Sequence, residues 1–169
     1  MYLTTYLASI LKFPLGSALI INTISMTVLA ALMPVMGALS DKVGRKPLLL
    51  AGSLGLALMS YPLFRLLVHD TFGFILAGQL MFALLVAIYF GPLPAVLVEL
   101  FPARERCSGL SIGYNLALAL FGGTAPLVAT YLIKETGNIL SPSFYLIVSA
   151  LVSFVVALRL RETFQTVLK

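Results

Sequence analysis

Cysteine, histidine and tryptophan are nearly missing from these 169 residues: there is one cysteine (Cys107), one histidine (His69) and no tryptophan. Neither a disulfide framework nor a zinc cluster can be built from that supply. Charge is the second shortage. Only 10% of the residues are charged, against about 25% in a soluble domain, whose water-facing surface must be covered with polar groups. Carboxylates are scarcest of all, and none lies deep in an apolar run. Asp41, Glu99 and Glu105 sit near run ends on one side, Asp70 and Glu135 on the other. No nucleophile–base pair, metal cluster or acidic dyad is visible, so the residues argue against an enzyme and call for no cofactor or metal. The net charge of +5 could suit nucleic acid, but the basic residues are dispersed, and membrane topology explains them better.

What the chain has instead is apolar length. Hydrophobic residues make up 60% of it, with a mean hydropathy of +1.07. Five segments are long enough to cross a hydrocarbon core of about 30 Å, which takes about 20 helical residues. They are expected at 17–39, 48–68, 73–98, 108–133 and 142–160. The first twelve residues, MYLTTYLASILK, are apolar but too short to span. With no basic leader and no small-residue cleavage site, they read as the end of a helix whose beginning is absent rather than as a signal peptide. Phe13-Pro14-Leu15-Gly16 then turns the chain into the first full span. The expected fold is an all-α membrane protein, one domain over residues 1–169 with five spans and a partial sixth.

Lysine and arginine set the orientation, because they concentrate in cytoplasmic links. One side holds Lys42, Arg45, Lys46, Arg104, Arg106, Arg159, Arg161 and Lys169; the other holds only Lys12, Arg65 and Lys134. The richer side, with the C-terminus, is therefore expected in the cytoplasm of a bacterial cell, the spans lying in its inner membrane. His69, beside Asp70 in an external link, reads as a solvated histidine.

Between the first two full spans lies GALSDKVGRKPLLLAG, Gly37 to Gly52. No glycine directly precedes its lysines, so it is not a phosphate-binding loop. Gly37 permits close approach of packed helices, Gly44 suits a turn that needs positive φ, and Asp41 can accept hydrogen bonds from the start of a neighbouring helix. The segment closely resembles the signature loop of the major facilitator superfamily, Gly-x-Leu-x-Asp-Arg/Lys-x-Gly-Arg-Arg/Lys, in Gly37, Leu39, Asp41, Lys42, Gly44, Arg45 and Lys46. A second cluster, VELFPARERCSGLSIGYN from Val98 to Asn115, places six residues between Glu99 and Arg106, as in sugar-porter members of the superfamily. The resemblance implies that this acid and arginine pair with Arg45, so that Asp41, Arg45, Glu99 and Arg106 latch the cytoplasmic helix ends while the transporter faces outward.

The run from Ser108 to Ile133 is similar to the penultimate helix of the metabolite–proton symporters, the family that includes proline/betaine, α-ketoglutarate, citrate and shikimate permeases. YLTTYL, Tyr2 to Leu7, resembles the end of their seventh helix. Where their N-terminal half carries an arginine, this chain has Gln79, which fits the second half. The resemblance implies a C-terminal six-helix bundle with a truncated first helix, working with an N-terminal half by proton-coupled alternating access on a small polar or anionic metabolite.

Polar groups inside a membrane are costly and tend to face a cavity or another helix. The substrate-pathway candidates are Asn115, Tyr114, Tyr89, Asn22 and Gln79, with Thr23, Ser25, Thr27 and Thr124 beside them. Asn115 offers both donor and acceptor to a polar solute, and equally to a neighbouring helix. Gly91-Pro92-Leu93-Pro94 should kink or break the third full span, since each proline removes a helical donor. Any proton-coupling group is expected in the other half, since this chain has no carboxylate deep in a span. The rival expectation is a non-transporting or regulatory remnant that inserts and does nothing further.

Overall fold

The structure, a computed structural model, describes residues 2–69, 71–100 and 106–160. Helix α1 covers Tyr2–Thr5 and runs into a π-helical turn, Tyr6–Ile10. Then follow α2 (Leu15–Val43), α3 (Arg45–Leu67), α4 (Phe72–Phe90) and α5 (Leu93–Leu100). After the gap come α6 (Arg106–Ala117), a second π-helical turn (Leu118–Gly122), α7 (Gly123–Thr136) and α8 (Ser141–Arg159). Among the described residues there is no strand. Within those same described residues, five stretches are long and apolar enough to cross a membrane: α2, α3, α4 with α5 to Glu99, Ser108–Thr136 and α8. Arg104, Arg161 and Lys169, which helped to orient the chain, and the carboxylates Asp70 and Glu105 lie outside the described residues.

Helix α3 is the hub, packed on α4 along one face and on α8 along another, while α2 packs on α4. Its buried residues include Leu49, Ser53, Leu56, Ser60, Leu63 and Leu67, the three-and-four spacing of a single helical stripe. Small residues bring these helices together, because in lipid close van der Waals packing, rather than exclusion of water, drives association. The buried hydroxyls cost little there. Ser53 donates to the Leu49 carbonyl at 2.7 Å, and Ser60 bonds the Leu56 carbonyl one turn back.

The N-terminal segment is part of this core. Tyr6 and Leu7 are fully buried among Ala18, Ile21, Phe64 and Ile75. The Tyr6 ring meets Phe64 edge-on with centroids 5.6 Å apart, and its hydroxyl donates to the Ile139 carbonyl at 2.9 Å. By contrast the span Ser108–Thr136 is almost uncovered; its main neighbour is α8 through α7.

One boundary differs from the sequence expectation. The charged link expected at 40–47 is almost entirely helical, because α2 continues through Asp41 and Lys42 and α3 starts at Arg45. Lysine and arginine are good helix formers once outside the hydrocarbon. The third full span is interrupted as its glycine–proline run led one to expect: Gly91 and Pro92 form a turn between α4 and α5, since Pro92 and Pro94 both lack a backbone donor.

Candidate functional site

The signature turn is built around one residue. Gly44 alone separates α2 from α3, with φ 106° and ψ 155°, a backbone region that side-chain-bearing residues rarely occupy. Its N–H closes α2 by donating to the Ser40 carbonyl at 3.0 Å. So short a turn holds Asp41 and Arg45 four residues apart across it, and Arg45 Nη2 donates to Asp41 Oδ1 at 3.3 Å. Arg45 Nη1 also pairs with Glu99 Oε1. The two acids differ in setting: the Asp41 side chain is 64% exposed, Glu99 only 10% and Arg45 16%. Exposed pairs contribute about 0–1 kcal/mol, whereas removing one partner of a shielded pair leaves a desolvated charge. Glu99 is therefore the partner that matters more.

Glu99 reaches Arg45 because α5 is set off from α4. A Cβ on Gly91 would lie 2.6 Å from Met36 Cβ and 2.8 Å from the Ala87 carbonyl, so α2 and α4 meet backbone to backbone at this point. The facing residue is Gly37, whose own Cβ would lie 3.6 Å from the Gly91 carbonyl. The signature's first glycine thus packs against the break that positions its acid. Lys46 turns the other way, and its Nζ donates to the Leu158 carbonyl in the last turn of α8 at 2.8 Å. The Arg106 backbone opens α6, but its side chain lies outside the described part of the structure.

The pathway candidates do not converge on one spot. Gln79 is 3% exposed within the bundle, and its Nε2 has no hydrogen-bond partner among the described residues. Tyr89 is half-buried, packed against the core, with Phe90 at 5.4 Å between ring centroids. Asn22 is half-buried on α2. Its neighbours Thr23, Ser25 and Thr27 all donate to carbonyls four residues back. Tyr114 and Asn115 lie elsewhere, on the uncovered face of α6, where Asn115 Nδ2 donates to the Ser111 carbonyl at 2.7 Å. Thr124 likewise bonds the Leu120 carbonyl. His69 is exposed, 5.4 Å from the Phe74 ring.

Sequence reasoning missed three features here. The Lys46–Leu158 and Tyr6–Ile139 bonds join residues more than a hundred positions apart, and no local pattern marks them. The π-helical turn at 118–122 had only an indirect sign, Gly122-Gly123 with Pro126 close behind.

Comparison with known proteins bears on the whole chain. The profile of the Major Facilitator Superfamily matches residues 1–167. A putative proline/betaine transporter of Staphylococcus haemolyticus is 35% identical over 155 residues, covering 92% of this chain and 33% of the relative. The proline/betaine transporter of Escherichia coli K12 is 32% identical over 168 residues, 99% of this chain and 33% of the relative. This chain therefore spans about a third of the length of the curated relatives it matches. No solved structure gives a significant match. With five helices fit to cross a bilayer and relatives that are transporters rather than enzymes, this multi-pass membrane chain belongs to the major facilitator superfamily.

Proposed function

We propose that the chain is the C-terminal bundle of a bacterial inner-membrane symporter that moves a small polar or anionic metabolite together with protons. Its C-terminus is cytoplasmic, and it works against an N-terminal bundle by alternating access around a midplane site. The relatives' names make proline and betaine, both zwitterions, the first solutes to try. With no carboxylate deep in its spans, this bundle leaves the titratable coupling group to the other half.

One observation carries the reading. Arg45, in the signature turn, is held at once by Asp41 on α2 and Glu99 on α5. Such a cluster ties together helix ends on the cytoplasmic side, and separating them exposes and rehydrates a shielded ion pair. A difference of about 1.4 kcal/mol between two conformations shifts their ratio tenfold, so a cluster of this size is enough to bias the equilibrium. Gly37, Gly44 and Lys46 shape the turn, and Arg106 completes the latch. Asn115, Tyr114, Tyr89, Asn22 and Gln79 are the pathway residues.

The test is uptake of labelled proline, betaine, α-ketoglutarate, citrate and shikimate across a pH gradient, in transport-deficient bacteria expressing this chain with and without an N-terminal half. Uptake only with the partner is expected. Uptake by this chain alone overturns the half-transporter reading. Verified insertion without uptake under either condition favours a non-transporting remnant.

A further inference from the structure

The middle of the span Ser108–Thr136 is interrupted twice within a few residues. In the π-helical turn the Gly123 N–H, which an unbroken α-helix would give to the Ala119 carbonyl, goes to the Leu118 carbonyl instead. Three residues later Pro126 has no N–H to give the Gly122 carbonyl. Ala119 and Gly122 thus both lose their α-helical donors, close to the centre of the 29-residue span and at exposed positions. One turn earlier Asn115 spends its amide N–H on the Ser111 carbonyl, while its Oδ1 accepts no hydrogen bond among the described residues.

The hydroxyls that follow the interruption are committed as donors to their own helix, Thr124 to Leu120 and Thr130 to Pro126, while those of Ser111 and Tyr114 precede it on α6. What remains open is three oxygen acceptors: Asn115 Oδ1 and the carbonyls of Ala119 and Gly122. Hydrocarbon cannot satisfy them, and interrupted backbone at membrane depth is tolerated only against protein or a water-filled cavity. Acceptors grouped at such a break favour a ligand that donates or carries positive charge. Carbonyls freed in broken transporter helices act in this way towards cations.

We infer that Asn115 Oδ1 and the Ala119 and Gly122 carbonyls form a subsite for a monovalent cationic centre, either an alkali-metal ion or the ammonium group of the solute. The inference rests on the transport reading above, because it needs this face to line an aqueous pathway.

Gly122-Gly123 is the sole consecutive pair among the 13 glycines. Glycine labelled with 13C at the carbonyl and with 15N therefore yields one directly bonded 13C–15N glycine signal, that of the Gly122 carbonyl. In the full chain reconstituted in bilayers with an unlabelled N-terminal half, this signal is followed as sodium chloride, proline or betaine is added, with sucrose of equal osmolarity as control. A shift with sodium alone assigns the subsite to a metal ion; a shift with proline or betaine in sodium-free buffer assigns it to the solute. Pro126→Ala, which restores the missing N–H and favours the helix, should weaken the response about tenfold, the factor carried by one hydrogen bond to a charged group. Asn115→Leu should weaken it similarly while leaving the helix intact. A silent carbonyl in a folded chain, or a response unchanged in Pro126→Ala, overturns the subsite. Uptake with a silent carbonyl sinks this inference alone, and a responsive carbonyl without uptake sinks the transport reading alone.

Discussion

At the scale of single residues, the two glycines of the signature region are held by different constraints. Gly44 is fixed by conformation, at φ 106° between two helices. Gly44→Ala should cost about 1–3 kcal/mol, the usual penalty for a side-chain-bearing residue in a sparsely populated backbone region. Loss of helical circular dichroism at a lower temperature in detergent checks it, and an unchanged transition would show that the turn relaxes freely. Gly91 is fixed by space, since its added Cβ would meet Met36 Cβ at 2.6 Å. Gly91→Ala should destabilise by about 1–3 kcal/mol. Adding Met36→Gly should recover part of that loss, because it removes the clashing Cβ itself, though the Ala87 carbonyl at 2.8 Å remains. Gly44 was legible in the sequence because a turn glycine amid charges has few other uses. The Gly37–Gly91 contact was legible only by halves: each glycine had a stated purpose, but the register that pairs them is set by how α2 lies on α4.

At the scale of elements, helices were the legible part, since long apolar runs bounded by charge or proline admit little else in a membrane. Their ends were less so. Charged residues at 41–46 read as a loop, yet charge ends a membrane span without ending a helix. How α3 finds α8 was not legible at all. Part of the answer is Lys46, which caps the last turn of α8 through the Leu158 carbonyl, where the helix dipole favours a cation. Lys46→Met should loosen that turn by about 0.5–1.5 kcal/mol and speed hydrogen exchange of the α8 C-terminal amides, leaving exchange in α4 unchanged. Equal acceleration in both helices would mean that Lys46 supports the whole bundle rather than one helix end.

At the scale of the whole molecule, the ion pairs around Arg45 should behave unequally. With an N-terminal half co-expressed, Arg45→Ala and Glu99→Ala should both favour the inward-facing state, and Asp41→Ala should do so less, because Asp41 is 64% exposed and Glu99 10%. Labelling rates of a cysteine placed at Thr71, at the opposite end of the bundle, report the balance. Equal rates in all three variants and the parent would remove the latch. The acid, the arginine and their spacing stood in the sequence, whereas the difference in shielding that ranks them depends on where the Gly91-Pro92 break places α5. The hydrogen bond from Tyr6 to Ile139 also acts at this scale, through the order of synthesis. Its two ends are separated by 133 positions, about 7–27 s of translation at 5–20 residues per second. The segment around Tyr6, made before the α7–α8 hairpin, thus waits for that hairpin before its buried hydroxyl meets its partner. Until then Tyr6 must be sheltered by the insertion machinery or by lipid, so the bundle can close only after α8 has begun to insert.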